Sequence, residues 1–273
     1  MGGTARGLIR ACAALALALA DAGAAAECPE VKSLLRATQT QASVSGVTFA
    51  VRFVITLADD QGLSTAEMER LHDVAIDSYS PIELTNDIQH SLETNCNAEA
   101  VASALTFYRS PTGVKLIRGS LELRKADGGG DKQAYFETLR EEGLSSGRLD
   151  AVRSVKAASL TFDVPPRVRL ALIRPLALTT IRAIAAEQGV PTPTESEFAE
   201  ALTRNVSAQN AYFDLQSDLA LLFATRDLSV AELQEVRSFL GSSAGVWYSE
   251  SMSRAFEGAV EKAGARFTAA AKP

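Results

Sequence analysis

Histidine occurs only twice and cysteine only three times in 273 residues. So few imidazoles leave little material for a histidine metal centre or a serine–histidine nucleophile. Three cysteines are too few for a scaffold built on disulfides. Positive charge is not in excess either. Lys and Arg number 27 against 33 Asp and Glu, a net charge of −6, which argues against a nucleic-acid binder that works by neutralising phosphates. The chain lacks the glycine–proline repeat of collagen, and 47% hydrophobic residues is too apolar for disorder.

What is present begins with a leader. Arg6 and Arg10 precede the apolar run Ala11 to Ala20, and Ala24-Ala25-Ala26 supplies small residues ahead of Glu27. This is the layout of a Sec-type signal peptide cleaved after Ala26. The run is about half the roughly 20 residues that a membrane-spanning helix requires. Residues 1–26 are therefore expected to be removed, and the remainder to be periplasmic or secreted, with no transmembrane segment. Cleavage discards Cys12. The two cysteines left, Cys28 and Cys96, form an even pair, and an oxidising compartment favours one bridge between them.

Apolar residues then recur at spacings of three and four, the period of a helix buried on one face. Ser64-Thr65-Ala66-Glu67 and Ser229-Val230-Ala231-Glu232 have the Ser-x-x-Glu spacing of a capping box. Pro81 after Ser80 opens a helix carrying Ile82, Leu84, Ile88 and Leu92. Residues 196–226 contain neither Gly nor Pro, and read as one long helix or two separated by a kink. Val44 to Leu57 is rich in β-branched residues but has no partner strand, so a buried helix is expected there. Val168 to Val190 is strongly apolar, yet Arg169, Arg174, Arg182 and Pro175 interrupt it. It reads as a core helix. The segment 126–131, with three consecutive glycines, is the most linker-like.

One junction between helices stands out: Phe107-Tyr108-Arg109-Ser110-Pro111-Thr112-Gly113-Val114. Ser110 can cap the second helix, Pro111 suits its first position, and Gly113 permits close approach. Val114, Leu116, Ile117 and Leu121 are expected to face inward. A shift of 132 residues finds Phe239-Leu240-Gly241-Ser242-Ser243-Ala244-Gly245-Val246, where Phe239, Ser242, Gly245 and Val246 coincide with Phe107, Ser110, Gly113 and Val114. An internal duplication follows. The fold expected is all-α: two related helical units forming a multi-helix bundle. Residues 27–126 make the first unit, 127–188 a linker with connecting helices, and 189–273 the second unit.

The run FYRSPTG, after a helix opened near NAEAV, resembles the signature of the bacterial domain-of-unknown-function family 2059. The second run, LSVAELQEVRSFLGSSAG, is similar but has Leu240 and Ser243 where the first has Tyr108 and Pro111. The resemblance covers roughly residues 59–124 and 190–262. It implies an exported, all-helical protein, and it implies no reaction.

Sharper chemical readings fare poorly. Gly241-Ser242-Ser243-Ala244-Gly245 fits the Gly-x-Ser-x-Gly nucleophile elbow, but a helix precedes it and no histidine follows. His72 with Asp73 and Asp77, and His90 with Asp87 and Glu93, could face one cation, although their loose spacing fits a solvated acidic face better. Tyr108, Arg109 and Trp247 read first as packing and helix-end residues. Asn205-Val206-Ser207 has the glycosylation pattern inside an expected helix. No catalytic residue, metal ligand or cofactor is expected. The favoured function is a non-enzymatic protein-binding or envelope-associated module with an unknown protein partner in the cell envelope. A carrier of an apolar ligand in a groove between the units is the alternative, and an unrecognised carboxylate-based enzyme the third.

Overall fold

A computed structural model describes residues 28–56, 62–123, 129–158, 166–208 and 210–272. They form thirteen α-helices and no strand. The helices are α1 (Glu30–Ala37), α2 (Thr40–Thr56), α3 (Thr65–Ser78), α4 (Pro81–Thr94), α5 (Ala98–Arg109), α6 (Pro111–Glu122), α7 (Gly129–Glu142), α8 (Ser146–Ala158), α9 (Pro166–Gln188), α10 (Glu195–Ala208), α11 (Asn210–Ala224), α12 (Val230–Leu240) and α13 (Ser243–Ala270). The leader, residues 1–26, lies outside the described residues, as does 124–128 of the glycine-rich segment; α7 begins at Gly129. Among the described residues, no helix is long and apolar enough to cross a membrane.

Local chemistry accounts for most helix ends. Ser229 and Glu232 complete a capping box in both directions, at 3.2 and 2.8 Å. Ser64 makes only half of one. Its Oγ accepts from the Glu67 amide at 3.3 Å, while the Glu67 carboxylate turns to Arg70 and the Ser64 amide to Glu187. Pro81 starts α4 as expected, but the Ser80 side chain makes no capping bond. The β-branched stretch is helical: Val44, Val47, Val51 and Ile55, spaced three or four apart on one face of α2, are all buried. Residues 195–224 are two helices, α10 and α11. Ile82 and Val114 depart from expectation, with 60% and 54% of their surface exposed. Each lies in the first turn of its helix, on the side away from the buried Leu84 and Leu116.

The packing follows a two-fold plan. Helix α1 packs on α4 and α5, and α8 packs likewise on α11 and α12. Helix α2 packs on α3 as α9 packs on α10, and α2 and α9 meet each other. By these contacts α1–α6 correspond to α8–α13, except that α2 also packs closely on α4 and α9 does not do so on α11. The segment 127–188 contains α7, α8 and α9, and the last two take the places that α1 and α2 hold in the other half. The final helix of each half is exchanged: α6 lies on α11 and α12, while α13 lies on α4 and α5. Helix α13 has 28 residues against the 12 of α6, and its surplus length packs on α3 and α9.

The two halves fix their first helix by different chemistry. Cys28, just before α1, and Cys96, between α4 and α5, lie at disulfide-bonding distance with Cα atoms 6.2 Å apart, within the span a bridge requires. In the second half Arg148, in the first turn of α8, donates to the carbonyls of Leu228, Thr225 and Arg226 at 2.6, 2.7 and 3.2 Å. Those carbonyls lie between α11 and α12. A guanidinium does there what the cysteine pair does in the first half.

Candidate functional site

The duplicated junctions form first, because each is locally determined. Ser110 Oγ accepts from the Gly113 amide at 3.1 Å, and Ser242 Oγ from the Gly245 amide at 3.1 Å. Pro111 occupies the first position of α6, where a missing N–H costs nothing. A Cβ on Gly113 would lie 2.2 Å from the Phe107 carbonyl oxygen, and one on Gly245 2.0 Å from that of Phe239. Both glycines are therefore required by close backbone approach.

The exchange of helices brings the two junctions together. Phe107 and Phe239, equivalent by the 132-residue shift, stack with ring centroids 4.0 Å apart and planes 7° from parallel. Tyr108 meets Phe239 edge-on and lies 5.0 Å from Tyr248. Tyr108 and Tyr248 lie side by side in this buried cluster, with Thr38 close to Tyr248. Burial pushes Tyr108 well above the ordinary tyrosine range and Tyr248 up to about 12, so both stay neutral. Around the rim, Thr112 donates to Glu235 at 2.6 Å and Lys115 to Glu232 at 2.7 Å. Lys115 and the Ser229 amide hold the Glu232 carboxyl down at about 2. All eight motif residues named from the sequence thus sit at one meeting point of the halves. Their arrangement is that of a packed seam.

A chemically open feature lies elsewhere among the described residues. Helices α3, α9 and α13 converge on a groove of about 450 Å³, inside the range of small-molecule sites. Its floor is built from Ala183, Ala186 and Ala271 with Thr179 and Thr268, and its edge carries Glu67, Arg70, Arg182, Glu187 and Lys272. Arg70 forms a two-pronged pair with Glu67 at 2.7 and 2.6 Å and also donates to the Ala271 carbonyl at 3.0 Å. That pairing draws the Glu67 carboxyl below its usual value. Glu187 accepts from the Ser64 amide at 2.7 Å and from the Ser64 hydroxyl. Small side chains leave the space, and paired carboxylates frame it.

Sequence reasoning did not find this groove. Its residues come from three separate stretches of the chain, at 67–70, 179–187 and 268–272, and alanine carries no motif. The one sequence signal at this place is Arg182, a charge that interrupts an apolar helix.

The histidines do not meet. His72 Nε2 lies 3.5 Å from Thr56 Oγ1, and His90 is exposed. Asp87 is bound instead by Lys262 at 3.1 Å and Arg266 at 3.0 Å, both from α13. Among the described residues, no group of three His, Cys, Asp or Glu side chains converges as a metal site. Ser243 begins α13 directly after α12, so the strand that a nucleophile elbow needs is not there. Asn205 to Ser207 lies within α10.

No protein-family description matches the chain, and neither a curated protein nor a solved structure does so.

Proposed function

We propose that this chain is a non-enzymatic binding module that acts outside the cytoplasm and holds a small ligand in the groove between its halves. The observation that carries this reading is the groove itself. It has a volume suited to a small molecule, an apolar floor and a polar edge, the composition usual for ligand sites. It also lies where α3 of the first half meets α9 and α13 of the second, at the kind of boundary where such sites concentrate. The leader 1–26 and the Cys28–Cys96 pair support an oxidising location.

Native mass spectrometry of the exported protein, prepared from the envelope fraction without detergent, tests the reading. The expected result is an added mass that is released by organic extraction and is missing from an Ala186→Phe variant with an unchanged circular dichroism spectrum. Ala186 is an exposed residue lining the groove, so a larger side chain there fills the groove without entering the core. A single apo mass in both proteins rejects the proposal.

A protein partner is favoured by a separate observation. Val114 and Val246 hold equivalent places in the two junctions, and both are exposed, at 54% and 42%. A photo-reactive residue at position 114 should then capture one specific protein in cells, and capture of none rejects that second role.

A further inference from the structure

We infer that the groove selects an anionic amphiphile, whose carboxylate or phosphate head sits against Arg182 while its aliphatic part covers the alanine floor. This rests on the groove being a ligand seat, and adds the class of ligand. The argument is one of charge accounting within the groove. Five ionisable side chains edge it, two acidic and three basic. Both acids are committed to the protein. Glu67 gives its two oxygens to Arg70, and Glu187 gives its two to the amide and hydroxyl of Ser64. Arg70 is spent on Glu67 and on the Ala271 carbonyl.

Arg182 and Lys272 remain. Neither forms an ion pair or a side-chain hydrogen bond among the described residues, and both are exposed at the groove edge. The Glu67–Arg70 pair is neutral, and Arg182 and Lys272 outweigh the single carboxylate charge of Glu187, so the groove is net positive by one on a chain of net charge −6. A net positive charge in a concave, partly apolar site focuses positive potential into it. An anion is the ligand that this potential favours. A guanidinium presents a planar fork that suits a carboxylate or phosphate, and the methyl groups of Ala183, Ala186 and Ala271 suit hydrocarbon better than a polar tail.

The test is isothermal titration of the full-length protein with decanoate, octyl glucoside and inorganic phosphate, the amphiphiles kept below their micelle concentrations. Decanoate should bind at least tenfold more tightly than either of the others. Arg182→Gln should weaken decanoate about tenfold or more and leave octyl glucoside unchanged, since a charge-assisted hydrogen bond is worth about that factor. Arg182 has no internal partner, so this variant should melt with the parent. Ala186→Phe should abolish decanoate binding. Equal binding of decanoate and octyl glucoside, indifferent to Arg182→Gln, overturns the anionic class but leaves the ligand seat standing. Phosphate binding as tightly as decanoate overturns the aliphatic part and indicates a free-anion site. Failure of all three probes to bind overturns the inference together with the reading beneath it.

Discussion

One glycine-to-alanine exchange should have opposite effects at two places in the same helix. Gly245 and Gly258 both lie in α13, where alanine has the better intrinsic helix propensity by about 0.8–1 kcal/mol. At Gly258 a Cβ meets nothing within 4 Å, so that preference acts unopposed and Gly258→Ala should stabilise by about 0.5–1 kcal/mol. At Gly245 the Cβ lies 2.0 Å from the Phe239 oxygen and 2.7 Å from Leu240 Cα. Both are backbone atoms of α12, which cannot swing aside as a side chain can. Relief requires α12 and α13 to separate by about 1 Å, which disturbs the Phe107–Phe239 stack. Overpacking of this kind costs about 1–3 kcal/mol, and the rigidity of the clash places it in the upper part of that range. The net expectation is a loss of about 2 kcal/mol. For a chain of this size 1 kcal/mol moves the melting temperature by roughly 2–4 °C. Gly245→Ala should therefore melt about 4–8 °C below the parent, and Gly258→Ala about 1–4 °C above it. Gly113→Ala should match Gly245→Ala, because its Cβ would meet the Phe107 oxygen at 2.2 Å. Scanning calorimetry of the four proteins decides the matter. A Gly245→Ala protein that melts at or above the parent refutes the claim that these junctions need glycine for close approach.

Three further outcomes follow from contacts described above. Glu232 sits at about 2 when folded and near 4.3 when unfolded. The unfolded state therefore binds more protons in between, and this stabilisation is full above about pH 4.3 and lost as pH falls toward 2; urea midpoints across that window should fall less steeply for Lys115→Met than for the parent. Opening the Cys28–Cys96 pair, by reductant or by serine at both positions, should lower stability by up to about 4 kcal/mol for its separation of 68 residues, read as a lower urea midpoint. Arg148→Met should cost about 1.5–3 kcal/mol in the same assay, because it strips a charged donor from three carbonyls; an unchanged midpoint would deny it the clamping role.

The sequence made the helices and their ends largely legible because those depend on neighbours in the chain. Ser110, Ser229 and Ser242 cap where their spacing to the following amides predicts. The equivalence of Phe107 and Phe239 was also visible. Their stacking was not, because it arises from the exchange of α6 and α13, and a residue pattern says nothing about which copy a helix will pack on. The same limit applied to Ile82 and Val114. They satisfy a helical period as single apolar residues, but at a helix's first turn the neighbouring helix does not cover them. The groove was the least legible part. It is space left by alanines on separate helices, and its charge character appears only after Glu67 and Glu187 are seen to be occupied by Arg70 and Ser64.

The exchanged last helices also set an order of events in time. Helices α4 and α5 are made early, yet the part of their buried surface that α1 and α2 do not cover belongs to α13, which ends at Ala270. At about 5–20 residues per second, the interval between the end of α4 and the end of α13 is roughly 10–35 s. Throughout that interval part of the apolar surface of α4 and α5 waits for its cover. A nascent first half cannot complete its core alone, so the chain stays open until nearly all of it has been made. Cutting the finished protein between α6 and α7 should accordingly leave two fragments that remain clasped, each holding the other's final helix.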